Sequence, residues 1–207
     1  KDDIEALGMM KVDVLGLGMW VRPETAGHFG VFFSPRTSPC ELSFFLQKPS
    51  PSQIRELSAE NVYLVDTGIW LLSEKAVGVL MRKCGWLGDG TGFAGGVPSF
   101  YELYAGFGLS LGTNPTAPDP EISALSCAVL PLPGAEFYHL GTSRQLVESA
   151  SALQNVQLDQ TKLGGTAASP HPDQYVLNSV FEAARDRQKN HTLWIENSHV
   201  PEGWHLE

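Results

Sequence analysis

Two short stretches near the C-terminus limit the architectures open to this chain. YVLNSVF (175–181) and LWIENSHV (193–200) share the order apolar-apolar-x-Asn-Ser-x-apolar. Asn178 and Asn197 stand 19 positions apart (197 − 178). A left-handed parallel β-helix is built from hexapeptide units, three to a coil, or about 18 residues per turn. With one extra residue in a loop, the two Asn-Ser pairs stack on successive coils. The spacing predicts the start of such a β-helix over residues 156–207.

Upstream, apolar runs of strand type alternate with amphipathic runs of helix type. KVDVLGLGMWV (11–21), HFGVFFS (28–34) and CELSFFLQK (40–48) read as strands, the last two joined by a turn at Pro35–Pro39. PSPSQIREL starts a short helix that Ser50 or Ser52 can cap. NVYLVDTGIWLLS (61–73) is a β-branched and aromatic strand, followed by a helix at 74–84 with Ser73 as its N-cap. GWLGDGTGFAGGVP (85–98) is a loop: it has six glycines but lacks the P-loop lysine. SFYELYAGFGLSLG is expected as a helix, ALSCAVLPLP and AEFYHL as strands, and TSRQLVESASAL as a helix. Strands interleaved with helices make residues 1–155 an α/β region.

Charge narrows the function. With 14 basic and 23 acidic residues the formal charge is −9, which argues against general affinity for nucleic acid or an anionic membrane surface. Cys40, Cys84 and Cys127 are far apart and form no CxxC pair, as expected of ordinary thiols in a reducing compartment. Neither a signal peptide nor an apolar run of about 18 residues is present, so the cytoplasm is the default expectation and no membrane partner is expected. The chain starts at Lys1 in an already patterned region, and is expected to be a fragment of something longer. Its first residues, KDDIEALGMMKVDVLGLG (1–18), resemble a short piece of bacterial replicative DNA polymerase α subunits, over less than a tenth of the chain. This is read as coincidence or a junction.

Three places could carry chemistry. Asp66 sits where a buried strand is about to continue through Gly68, and an acid there must be capped, paired or bound to a metal. It is either an aspartate bonding turn amides or a ligand for a divalent cation beside phosphates. Lys48 ends an apolar strand and is followed by Pro49; in open α/β sheets that end is where ligands sit, so Lys48 is a candidate phosphate contact. In FYHLGTSRQLVES (137–149), Glu136, His139, Gly141, Thr142 and Ser143 flank a helix N-terminus, which favours an anion or sugar hydroxyl. The plainer alternative is that Thr142 or Ser143 only caps the helix. No HExxH, GxSxG or Cys-His arrangement is evident.

Six segments in order carry a family resemblance: GMWVRPETAGHFGVFFS, FLQKPS, DTGIWLLSEKAVGVLM, FYELYAGFGLSLGT, LSCAVLPLPGAEFYHLGTSRQLVESASALQN and LWIENSHV. Together they resemble the L-fucose-1-phosphate guanylyltransferase (GDP-fucose pyrophosphorylase) domain of the type fused to a fucokinase, from about Val12 to the end. The resemblance implies a partial, Rossmann-like nucleotidyltransferase domain over 1–155, then the β-helix. It implies that GTP and β-L-fucose 1-phosphate give GDP-L-fucose and pyrophosphate, with Mg²⁺. Sugar pyrophosphorylases carry a Glu-Lys-Pro motif whose Lys contacts the sugar phosphate; Gln47-Lys48-Pro49 is similar, with Gln in place of Glu. Their sugar-site segment is similar to FYHLGTS, with His139 at the acid's place, which leaves Asp66 as the better metal candidate. The Gly-rich N-terminal motif of these enzymes and the kinase's Gly/Ser-rich ATP loop do not occur in the chain. The expectation is therefore the sugar-phosphate half of a site, with little turnover alone and partners in a nucleotide-binding segment and a fucokinase domain. The alternative is a non-catalytic scaffold or binding module with a degenerate nucleotidyltransferase domain.

Overall fold

The computed structural model describes residues 11–88, 90–166, 168, 170, 174–184 and 192–205. The polymerase-like segment therefore lies largely outside the described residues. The chain divides into two compact units, Lys1–Ala135 and Glu136–Glu207.

The first unit is built on a five-stranded mixed sheet in the order β3-β2-β4-β1-β5. Its strands are β1 (Val14–Met19), β2 (Gly30–Pro35), β3 (Phe44–Gln47), β4 (Asn61–Leu72) and β5 (Cys127–Pro131). The described pairings are antiparallel except β1 with β5, which run parallel. Three helices accompany the sheet: α1 (Pro23–Ala26), α2 (Pro51–Leu57) and α3 (Glu74–Lys83). Alternate side chains of a strand leave by opposite faces, and here both faces are covered. Phe32, Phe45 and Leu64 pack in one cluster with Phe107 and Leu111. Val31, Phe33 and Val65 pack in another with Ala26 and Ile54. A sheet buried on both sides explains why GVFFS reads as a continuous apolar run.

The expected serine caps are in place. Ser50 Oγ accepts the Gln53 N–H at 3.2 Å, and Ser73 Oγ accepts the Ala76 N–H at 3.2 Å. Proline at the first helical position adds a preset φ to α2.

Strand β4 holds the main irregularity of the sheet. Its N-terminal half pairs with β2 up to Val31↔Val65, while Val65, Asp66 and Trp70 to Leu72 pair with β1. The β1 register shifts between Gly16↔Trp70 and Gly18↔Asp66. Leu17 alone thus faces the three residues 67–69, a bulge, and Gly68 takes φ 77° within it.

Two expected elements differ. The helix over 99–112 is a single π turn at Leu103–Phe107 followed by a 3₁₀ turn at Gly108–Ser110. Its glycines admit aromatic rings, the Tyr101 ring at 2.7 Å and the Phe45 ring at 3.0 Å from where a Cβ would stand on Gly106 and Gly108, which serves packing better than helix propensity. The strand expected at AEFYHL is irregular. The Leu132 N–H makes the last ladder bond, to Gly18 O at 2.8 Å. Pro133 offers no donor, and Gly134 turns away at φ 67°.

The second unit contains α4 (Ser143–Gln154), a 3₁₀ turn at Gln160–Leu163, and strands β6 (Gln174–Leu177), β7 (Val180–Phe181), β8 (Leu193–Glu196) and β9 (His199–Val200). β6 pairs in parallel with β8, and β7 with β9, from Gln174↔Leu193 to Phe181↔Val200. Asn178 and Asn197 occupy the corners at φ 46° and 50°, a left-handed conformation that asparagine tolerates. Asn178 Nδ2 donates to Asn197 Oδ1, and the Ser198 N–H donates to Ser179 Oγ at 3.1 Å. The predicted stacking of the two Asn-Ser pairs is therefore present, joined by parallel ladders. Among the described residues, no helix is long and apolar enough to cross a membrane.

Candidate functional site

Gln47, Lys48 and Asp66 lie in the first unit; Glu136, His139, Gly141, Thr142 and Ser143 lie in the second.

In the first unit the sheet register lines up a polar row. Gln47 faces Gly30 across the β2–β3 ladder. One step beyond Val31↔Val65, Gly30 falls opposite Asp66, which in turn faces Gly18. Directly opposed residues share a face, so Gln47 and Asp66 are on the same side of the sheet with two glycines alongside. Lys48 follows with φ 51°, left-handed for a residue with a Cβ, its N–H donated to Phe29 O at 2.9 Å. That conformation costs about 1–2 kcal/mol in a lysine, and strain of this kind gathers at functional sites. Both Gln47 and Lys48 are exposed, whereas Pro49 is buried and anchors the turn.

Asp66 is buried, at 6% exposure. Its Oδ1 accepts the Gly68 N–H and the Trp70 indole N–H, each at 2.8 Å. The carboxylate therefore holds the bulge closed, as an Asp bonding turn amides does. Burial pushes its pKa up, against the pull of Trp70 and Gly68. Among the described residues no group of three or more His, Cys, Asp or Glu could enclose a metal ion. Asp66 Oδ2 is thus the one oxygen of this residue left for a cation.

In the second unit the FYHLGTS segment is organised around the start of α4. Thr142 is the N-cap, its Oγ1 accepting the Gln145 N–H at 3.1 Å, and Ser143 is the exposed first residue of the helix. His139 folds back over Gly141: a Cβ on that glycine would lie 2.2 Å from the imidazole Cε1. The Gly141 N–H donates to His139 Nδ1 at 3.3 Å, and Ser149 Oγ donates to His139 O at 2.7 Å. The Phe137 ring stacks on the imidazole, centroids 5.9 Å apart and planes at 18°. Tyr138 OH donates to Glu136, which ties that carboxylate into the same local cluster.

Gln145 was not among the sequence candidates, although it touches both His139 Nδ1, at 3.0 Å, and Thr142 Oγ1, at 3.3 Å. The signal was present: Thr142-x-x-Gln145 is a capping-box pattern. Here the side chain reaches the histidine, which the pattern does not foretell. His28, just after α1, is exposed.

No protein-family model matches the chain. Over 196 residues, 95% of its length, the chain is 42% identical to the L-fucokinase/L-fucose-1-P guanylyltransferase of Bacteroides fragilis, and it spans 20% of that protein. The chain is thus a relative of about one-fifth of a bifunctional fucose enzyme, in keeping with the resemblance of its six segments.

Proposed function

We propose that this chain supplies the sugar-phosphate half of a guanylyltransferase site that joins GTP and L-fucose 1-phosphate into GDP-L-fucose and pyrophosphate. The observation that carries this reading is the 42% identity along nearly the whole chain to a protein named for fucokinase and guanylyltransferase activities. Between those two activities, the Gln47-Lys48-Pro49 turn and the FYHLGTS segment favour the second, since both are similar to sugar-pyrophosphorylase motifs. The left-handed backbone at Lys48 supports a functional lysine there. The parallel Asn-Ser corners support a β-helix following the α/β domain, and the Rossmann-like character of that domain belongs to the same proposal.

The chemistry asks for positioning and charge compensation. A phosphate oxygen of fucose 1-phosphate attacks the α-phosphorus of GTP in line, and the bond to the β-phosphate oxygen breaks with pyrophosphate leaving. Two anions must be brought together, so a fixed cation on the sugar phosphate lowers the barrier most. Lys48 takes that role, with the Gln47 amide beside it. In the second unit, the FYHLGTS segment with His139, Gly141, Thr142 and Ser143 is the stretch similar to the sugar-site motif of sugar pyrophosphorylases. Mg²⁺ would supply further charge compensation between the phosphates. Most of its ligands would be phosphate oxygens and water, with Asp66 Oδ2 the protein oxygen available in this row.

Lys48→Ala in the full-length enzyme tests the reading. The expected result is a raised KM for L-fucose 1-phosphate and kcat lower by about 10²-fold or more, with fucokinase turnover unchanged. Unaltered guanylyltransferase kinetics would remove Lys48 from the site. Titration of this chain with fucose 1-phosphate and GDP-fucose separates the transferase from the scaffold alternative, which predicts binding of neither.

A further inference from the structure

We infer that Tyr104 is a further substrate-binding residue beside the Gln47–Asp66 row, its phenol hydroxyl bonding a hydroxyl group of the sugar ring. The identity of that sugar rests on the function proposed above.

All the groups involved belong to the first unit. Tyr104 is carried by the single π turn at Leu103–Phe107, a geometry that recurs at functional sites. The Glu102 carboxylate accepts the Tyr104 N–H at 3.1 Å and fixes the start of that turn. Two aromatic side chains next to the row hold the Tyr104 ring. Phe45 stacks on it, with centroids 6.3 Å apart and planes at 18°, and Trp70 meets it edge-on at 6.1 Å and 90°. Trp70 in turn gives its indole N–H to Asp66 Oδ1. The Phe45 ring leans over Gly30, and Gln47 Oε1 would lie 3.2 Å from a Cβ added to the same glycine. Phe45 and Trp70 thus link Gln47, Asp66 and Tyr104 into one cluster.

Among the described residues, three polar groups of this cluster have no hydrogen-bond partner: the Gln47 carboxamide, Asp66 Oδ2 and the Tyr104 hydroxyl. A phenol packed among rings ordinarily finds one, as Tyr63 does in Val21 O at 2.7 Å. Tyr104 is half-buried. Burial, then the charges of Asp66 and Glu102, push its pKa up, so at neutral pH it keeps its proton and can both donate and accept. A sugar hydroxyl has the same double capacity, and a phenol, a carboxamide and a carboxylate oxygen complement it. None of the three groups is cationic, so they do not suit a phosphate. Lys48, one residue after Gln47, remains for that, and a sugar 1-phosphate held there by its phosphate has its ring left for Gln47 and Tyr104.

Tyr104→Phe in the full-length enzyme deletes the hydroxyl and keeps the ring. Expected is a KM for L-fucose 1-phosphate raised about tenfold, the loss of one hydrogen bond. The KM for GTP, fucokinase turnover and the urea midpoint should stay unchanged. Monodeoxy fucose 1-phosphates, each lacking one ring hydroxyl, identify the partner. One of them should lose about tenfold with the unaltered enzyme and nothing further with Tyr104→Phe. An unchanged KM for the sugar phosphate in Tyr104→Phe overturns the inference. So does a raised KM for GTP in its place, or losses that add for every analogue. An unaltered enzyme that does not take fucose 1-phosphate refutes the proposed function and the sugar ligand together. One that takes it, with Tyr104→Phe kinetics identical to its own, refutes the role of Tyr104 alone.

Discussion

Substituting Asp66 by Asn or Ala separates two uses of one carboxylate. Oδ1 receives the Gly68 N–H and the Trp70 indole N–H at 2.8 Å each, on a side chain that is 6% exposed. Asparagine presents a carbonyl oxygen in the same place, so both bonds persist and the burial of charge is relieved. Burial is the largest influence on this carboxyl and raises its pKa above 3.8. A carboxyl raised in the folded state contributes its full stability below the unfolded value, and that contribution is lost as pH climbs through the folded pKa. Each unit of upward displacement corresponds to about 1.4 kcal/mol. Asp66→Asn should therefore be close to wild type near pH 4 and become the more stable protein toward neutral pH. Asp66→Ala leaves both donors without their acceptor and should lose about 2–4 kcal/mol. Urea denaturation of the three chains at pH 4 and pH 8, repeated with Mg²⁺, measures this. The bulge-clamp reasoning is refuted if Asp66→Asn is several kcal/mol less stable than wild type at pH 8. A stabilisation by Mg²⁺ that wild type shows and Asp66→Asn lacks would assign the charge to a cation instead.

Other positions give sharper tests of packing. Gly112 sits at φ 101°, and a Cβ there would lie 2.3 Å from Ser43 O, so Gly112→Ala should cost about 2–5 kcal/mol by denaturation. Thr142→Ala removes the α4 cap and should cost about 1 kcal/mol, read as lower stability and a more frayed first turn in amide exchange. For the stacked corners, a double-mutant cycle between Asn178→Ala and Asn197→Ala should return a coupling of about 0.5–1.5 kcal/mol; additive effects would deny the side-chain ladder.

What the sequence disclosed, it disclosed through local rules. Ser50 and Ser73 cap helices because a hydroxyl before an amphipathic run has few better uses, and both were readable. The Asn-Ser repeat was readable because parallel stacking brings residues 19 apart (197 − 178) into contact, a long-range fact written as a short-range period. Asp66 was legible as an alternative, with Asp-x-Gly pointing to a turn amide, but the Trp70 partner depends on the bulge register, which no local pattern records. The strand expected at AEFYHL failed because the ladder with β1 ends at Leu132, and proline and glycine then divert the chain. Gln145 escaped notice because its cap pattern says where the helix starts, while its side chain answers to a histidine six positions earlier.

The parallel pairing of β5 with β1 has a kinetic consequence. Val14 and Cys127 are partners at a separation of 113 residues (127 − 14), whereas β2, β3 and β4 meet their neighbours across much shorter stretches. Closing so long a segment is slow relative to closing hairpins. Strand β5 is therefore expected to join the sheet last, its Ala128 then closing against Leu15 and Leu17 of β1.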